Sequence, residues 1–256
     1  MDQKFRMSNS VTTLVPNLSV VIPVYNEEDN LEPLLDELVP ILKDTGSGFE
    51  VICVDDASTD KSLTVLKDLQ GRYPELRIIR HLVNCGESAG EATGFANARG
   101  EWIVTLDADQ QNDPADIPAL MEAARDADAV CGVRQKREDD WVKRISSRVA
   151  NGFRNWVTQD VIADAGCTFR AIRKEALREI PVFNGMHRFL PTLLRLQGFK
   201  VAEIPVNHRP RTRGESKYGI GNRMWRGLVD CFAILWFRKR CFPTQRFRQE
   251  EKVSTT

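Results

Sequence analysis

No apolar run in this chain of 256 residues reaches the roughly 18 positions that a membrane-crossing helix needs. The best stretch, 228–237, is short and carries Asp230, so the chain is not expected to cross a bilayer unaided. Residues 1–17 lack the continuous apolar core of a secretory signal and read as a polar, disordered leader, which argues against export. The six cysteines, at 53, 85, 131, 167, 231 and 241, include no C-x-x-C pair, and several fall in apolar runs. Free thiols in a reducing compartment follow. Histidine is scarce too. His81, His187 and His208 are too far apart for metal-ligand spacing and carry no expected catalytic or zinc role. Neither charge sign dominates, with 36 basic against 36 acidic residues, so the total points to no nucleic acid partner. Its distribution is uneven: 205–246 holds ten Lys or Arg against two acids, which makes one end basic.

What is present suits a single α/β domain. With 42% hydrophobic and 28% charged residues the chain can bury a sizeable core. From Leu18 onward, short β-branched runs alternate with amphipathic stretches, the pattern of βαβ units feeding a mostly parallel sheet. Strands are expected at 18–24, 49–55, 76–81, 102–107 and 128–133. Helices are expected at 29–44, 60–71, 87–98 and 114–126, with Asp29, Ser58 or Thr59, and Asp113 as N-caps. Beyond Arg134 the pattern predicts helix at 141–158, strand at 167–172, helix at 187–197, strand at 199–206, a basic loop over 207–218 and helix over 219–240. The resulting division is a leader 1–17, a catalytic domain 18–221, an amphipathic helix 222–243 and a tail 244–256.

Three acidic strand ends stand out. VVIPVYNEE (20–28) places an aromatic and carboxylates beyond a buried strand, where open parallel sheets bind ligands. VICVDDASTD (51–60) runs apolar residues into Asp55 and Asp56, which point to opposite sides of an extended chain. One can then meet a base or ribose while the other caps the next helix. WIVTLDADQQNDP (102–114) sets Asp107 and Asp109 two apart at a strand end, hence on one side, with Gln111 as a further oxygen. Hard cations such as Mg²⁺ choose such oxygens and bridge them to phosphates. A basic set completes the inventory: Arg134, Arg170, and the stretch RPRTRGESKY with Arg209, Arg211, Arg213 and Lys217, suited to phosphate recognition.

In order and spacing, VIPVYNE, VDDASTD, LDADQQ, DAGCTFR and HRPRTRGESKYG resemble the family 2 glycosyltransferases, and within them the dolichol-phosphate mannose synthase group of polyprenyl-phosphate sugar synthases. The resemblance spans about 18–221 and implies the GT-A fold. It also implies that Pro23, Tyr25, Glu27, Val54, Asp56 and Ala108 belong to the nucleotide site, and that Asp107, Asp109 and Gln111 hold Mg²⁺ or Mn²⁺. Arg134, Arg211 and Lys217 match positions that contact donor phosphates, and Arg170 faces the transferred sugar or acceptor phosphate. The Q-x-x-R-W box of processive synthases is absent, since 221–225 reads GNRMW, so single transfer is the reading. Glu87 departs from the neutral or basic residue that relatives often carry near that position. The transmembrane helices that many bacterial relatives carry are also missing, which leaves room for a separate membrane-protein partner.

The implied reaction inverts the anomeric centre as the nucleoside diphosphate leaves. A polyprenyl phosphate acceptor is already largely ionised at neutral pH and needs no general base. Asp164 is the one carboxylate nominated for the catalytic set beside Asp109 and Arg170, in a positional role. The basic end, with Trp225 and Trp236, fits either a core helix or one lying on the cytoplasmic face of a membrane. Rival readings are transfer to a soluble or glycan hydroxyl, a non-catalytic nucleotide-sugar-binding protein, and a nucleotidyltransferase. The last wants a glycine-rich loop where this chain has VYNEED.

Overall fold

The computed structural model describes residues 16–135, 152, 154–158, 160–210 and 220–241, with backbone alone over 220–228. The first strand, β1 (Leu18–Val24), is LSVVIPV and is buried along nearly its whole length. Such an unbroken apolar run fits a strand covered on both faces. It pairs in parallel with β2 (Phe49–Asp55) on one side and β4 (Trp102–Thr105) on the other, and β2 pairs in parallel with β3 (Leu76–Arg80). Between them run α1 (Leu31–Asp44), α2 (Ser62–Arg72) and α3 (Glu87–Asn97).

Past β4 come α4 (Ile117–Ala123), β5 (Ala129–Arg134), β6 (Arg170–Arg173), α5 (Met186–Leu196), β7 (Val201–Val206) and α6 (Ile220–Arg238). Among the described residues the seven strands form one sheet in the order β3-β2-β1-β4-β6-β5-β7, with β6 antiparallel to both neighbours. The fold is thus the expected α/β sandwich about a mostly parallel sheet. The chain runs outward from β1 to β3 and then returns to β4 on β1's other side. That reversal opens a crevice beyond the carboxyl ends of β1, β2 and β4.

Several local expectations shift. Strand β4 stops at Thr105, two residues short of Asp107, because 106–109 turns away and Gln110 takes φ 61°. The strand expected from 167 starts only at Arg170. The N-cap position of α1 is Asn30 rather than Asp29, and that of α2 is Lys61 rather than Ser58 or Thr59, neither with a side-chain cap bond; the Ser58 and Thr59 hydroxyls bond Asn26 across two loops instead. Asp113 does cap, accepting the Ala115 N–H at 3.0 Å. Of the helix expected over 141–158 only 152 and 154–158 are described, and these are helical. The expected leader up to residue 15, the last two residues of the expected 222–243 helix and the expected tail 244–256 lie outside the described residues.

Helix α3 lies unusually close to β1. A Cβ on Gly94 would stand 2.2 Å from Val21 Cγ1, and one on Gly90 3.0 Å from Pro23 Cβ. Gly94→Ala is therefore expected to destabilise the protein by roughly 1–3 kcal/mol through overpacking, and to lower the melting temperature by several degrees. A thermal melt at or above the parent's would show that the helix can move away at no cost.

Candidate active site

The loops after β1 and β2 hold each other. Asn26, at φ 54°, accepts the Thr59 N–H through Oδ1 at 2.7 Å and donates its own N–H to Ser58 Oγ at 3.0 Å. The Glu27 N–H donates to Ser62 Oγ at 2.8 Å, and the Lys61 N–H to Glu28 Oε2 at 2.7 Å. Ser62 was not singled out from sequence, and Ser58 was expected only as a helix cap, because their partners here lie more than thirty residues away. Asp55 and Asp56 do diverge. Asp55 accepts the Ser58 N–H at 3.2 Å, steadying its own loop rather than a helix end. Asp56 faces the crevice while its carboxylate accepts the backbone N–H groups of Cys85 and Gly86 at 2.8 and 2.7 Å. His81 Nδ1 also lies 2.7 Å from Asp56 Oδ1, so a histidine given no role from sequence braces Asp56.

On the opposite wall, Asp107 Oδ2 accepts the Thr168 hydroxyl at 2.5 Å, and Asp109 Oδ1 accepts the Gln111 N–H at 3.1 Å. Burial, with Glu87 and Asp109 nearby, pushes the Asp107 carboxyl well above the usual carboxylate range. Carboxylates crowded out of water in this way favour a bound cation. Gln111 also ties down the start of the basic stretch: its carbonyl accepts the Arg209 N–H at 2.9 Å. Arg209 itself is engaged by Glu37 and Asp113.

An open cleft lies between these walls. Of the residues assigned from sequence, Pro23, Tyr25, Glu27, Asp56, Asp107, Ala108 and Asp109 line it; Asn84, Gly86 and Glu87 join them from the loop entering α3. Val54 does not, being fully buried within β2. Gln111 stands beside Asp109 without lining the cleft. Arg211 and Lys217 lie outside the described residues.

Three expected site residues sit otherwise than anticipated. Arg134 grips Asp164 through Nε and Nη2 at 2.7 and 2.8 Å, in a pair whose side chains are only 15% and 7% exposed. That guanidinium fork is occupied by a carboxylate rather than open to a phosphate, and Asp164 acts on Arg134 rather than on the cleft. Arg170 has no accessible surface, and none of its three guanidinium nitrogens has a hydrogen-bond partner among the described residues. Its positive charge acts on its surroundings through space, opposing in part the rise that burial imposes on the Asp107 and Glu91 carboxyls.

Burial still pushes the Glu91 carboxyl from 4.5 up to about 8, so the folded chain keeps a proton that the unfolded chain releases. Stability then falls as pH rises across that window. Glu91→Gln should match the parent near about pH 5 and melt several degrees higher above about pH 8. Parallel pH profiles of the two melting temperatures would contradict the shift.

The family profile described as glycosyl transferase family 2 matches residues 19–181. An undecaprenyl-phosphate 4-deoxy-4-formamido-L-arabinose transferase of Edwardsiella ictaluri is 38% identical over 206 residues, covering 79% of this chain and 63% of that protein. A dodecaprenyl-phosphate galacturonate synthase of Rhizobium johnstonii is 33% identical over 228 residues, covering 87% and 67%. The chain thus spans about two thirds of the length of these relatives. Among solved structures, a mannosyltransferase from Pyrobaculum calidifontis in complex with GDP-Man and Mn²⁺ superposes with a TM-score of 0.60 at 22% identity, covering 86% of this chain and 64% of that one. Glucosyl-3-phosphoglycerate synthase from Mycobacterium tuberculosis superposes with 0.64 at 18%, covering 90% and 80%. The fold is the GT-A fold, and with a family match over well more than half its length the chain belongs to glycosyl transferase family 2.

Proposed function

We propose that this chain transfers a single sugar, with inversion, from a nucleoside diphosphate donor to a polyprenyl phosphate. The carrying observation is the cleft itself, with Pro23, Tyr25 and Asp56 on one wall and Asp107 and Asp109 on the other. The first wall suits a base and ribose. The second, an all-oxygen set with Gln111 beside it, suits Mg²⁺ or Mn²⁺, which when bound supplies positive charge against the leaving diphosphate. The polyprenyl acceptor is the one that the relatives from Edwardsiella and Rhizobium name, and GDP-mannose and UDP-sugars are the candidate donors.

The chain's own residues bind and orient. Asp56, fixed by two backbone N–H groups and His81, presents a preset acceptor for the base. Arg211 and Lys217 are proposed to reach the diphosphate from the stretch that leaves Gln111 at Arg209. A phosphate acceptor with a second pKa of about 6 attacks without a base, consistent with Asp164 being engaged by Arg134.

No helix among the described residues is long and apolar enough to cross a membrane. We assign α6 to the cytoplasmic surface of one. Cys231 and Ile234 are buried beneath it, whereas Val229, Phe232 and Trp236 are exposed at helical spacing, with the Arg240 guanidinium 5.7 Å from the Trp236 ring. Because that helix also contributes to the core, point variants test the idea better than truncation. Phe232→Ser with Trp236→Ser is expected to cut binding to anionic vesicles at least about tenfold while sparing the melting temperature. Unchanged vesicle binding would remove α6 from the membrane surface.

The reaction is tested by incubating GDP- and UDP-sugars with Mg²⁺ or Mn²⁺ and either polyprenyl phosphate or a soluble hydroxyl acceptor. Faster transfer to the soluble acceptor overturns the lipid reading, and donor binding without turnover favours a sensor.

A further inference from the structure

We propose that Asp56, His81 and Cys85 form a second metal site at the rim of the cleft, selective for Zn²⁺ and similar transition-metal ions, and that filling it blocks the donor. A carboxylate oxygen, an imidazole nitrogen and a thiol sulfur here lie within 4.8 Å of one another. Zinc takes that mixture in tetrahedral sites with bonds of about 2.0–2.3 Å, so only small movements are needed to gather the three around one ion. Mg²⁺ takes oxygen and rejects sulfur, so the Asp107 and Asp109 wall and this rim differ in the ions they select.

Two of the three ligands are already held. The side chains of Asp56 and His81 are 5% and 14% exposed. His81 Nε2 lies 2.8 Å from Thr93 Oγ1, and in the tautomer that donates to that hydroxyl the Nδ1 lone pair faces Asp56. An outer partner of this kind is what orients metal-binding imidazoles. Cys85 is exposed, and its thiol donates to the Val83 carbonyl at 3.3 Å, a weak bond that it can leave to swing onto the ion. Binding releases the thiol proton to solvent, leaves the imidazole neutral with its proton on Nε2, and sets one thiolate and one carboxylate against the doubly charged ion. Water fills the fourth position, and no electron is transferred.

The blocking half of the proposal rests on the donor reading above. Asp56, Asn84 and Gly86 line the cleft, and Cys85 sits between the last two. An ion bound here takes up the carboxylate assigned to the base and draws the 84–86 loop onto it.

Co²⁺ tests the site without any assay of transfer. Metal-free full-length protein in excess Mg²⁺ is expected to develop a thiolate-to-cobalt charge-transfer band that saturates at one equivalent and is displaced by Zn²⁺. In Cys85→Ser the band should vanish, and affinity for Zn²⁺ should fall roughly tenfold or more. No band in the parent, or an undiminished one in Cys85→Ser, overturns the site. The consequence is read separately: with Mg²⁺ saturating, Zn²⁺ should inhibit transfer by the parent and require roughly tenfold more for Cys85→Ser, whose basal rate is unchanged. A band without inhibition, or without mutual exclusion of Co²⁺ and a nucleoside diphosphate in titration, overturns the blocking. Failure of all transfer, with the band intact, instead faults the proposed reaction and leaves the site standing.

Discussion

Asp109→Asn is expected to lower sugar transfer by more than roughly hundredfold while leaving the melting temperature within about one degree of the parent. Asp109 lines the cleft at the mouth of a turn and accepts the Gln111 N–H at 3.1 Å, a bond that an amide oxygen can keep. What the substitution removes is one full negative charge from the oxygen-rich wall proposed to hold a divalent cation against the diphosphate. The loss should appear in kcat more than in donor affinity, because charge on the leaving group is greatest in the transition state. Calorimetry should show weakened Mn²⁺ binding in the same variant. Near-parental transfer in saturating Mg²⁺ or Mn²⁺ would rule out this wall as the metal site.

The second large effect is one of stability. Asp164→Ala strands the Arg134 guanidinium in a mostly buried position, and losing one partner of such a pair costs about 3–5 kcal/mol. The melting temperature should fall by roughly 6–20 °C. Replacing both partners together with apolar residues should recover most of that, since no charge is then left unpaired. A catalytic carboxylate would behave in the opposite way, with Asp164→Ala folding normally and transferring no sugar. The melt and the activity assay on one preparation therefore separate a positioning residue from a chemical one.

Much of the site was legible because its carriers are local. A buried β-branched run that ends in Asp or Glu declares both a strand and the end that faces the crevice, and three such runs in one chain pointed to Glu27, Asp56, Asp107 and Asp109, which all line the cleft. The spacing of Asp107 and Asp109 was informative even though β4 ends early, since the turn after Thr105 still brings both to one wall. Arginines read less well. From sequence, Arg134 and Arg170 beside strands and Arg209 in the basic loop were alike, positive groups suited to phosphate. The fold gives one to Asp164, buries one without a hydrogen-bond partner among the described residues, and gives one to Glu37 and Asp113. Those partners are 30 to 172 residues away along the chain, beyond the reach of any local pattern.

By itself, then, the sequence determined the α/β alternation, the buried parallel strands and the acidic strand ends, because hydrophobic periodicity and charge at a strand terminus act within a few residues. Only the tertiary structure decided which charges remain available. It set β6 antiparallel between β4 and β5, which buries Arg170, and it brought the 81–86 loop onto Asp56, joining His81 and Cys85 to an acid about thirty residues earlier. A side chain's chemistry belongs to its residue type, but its burial and its partners belong to whatever the chain packs against it.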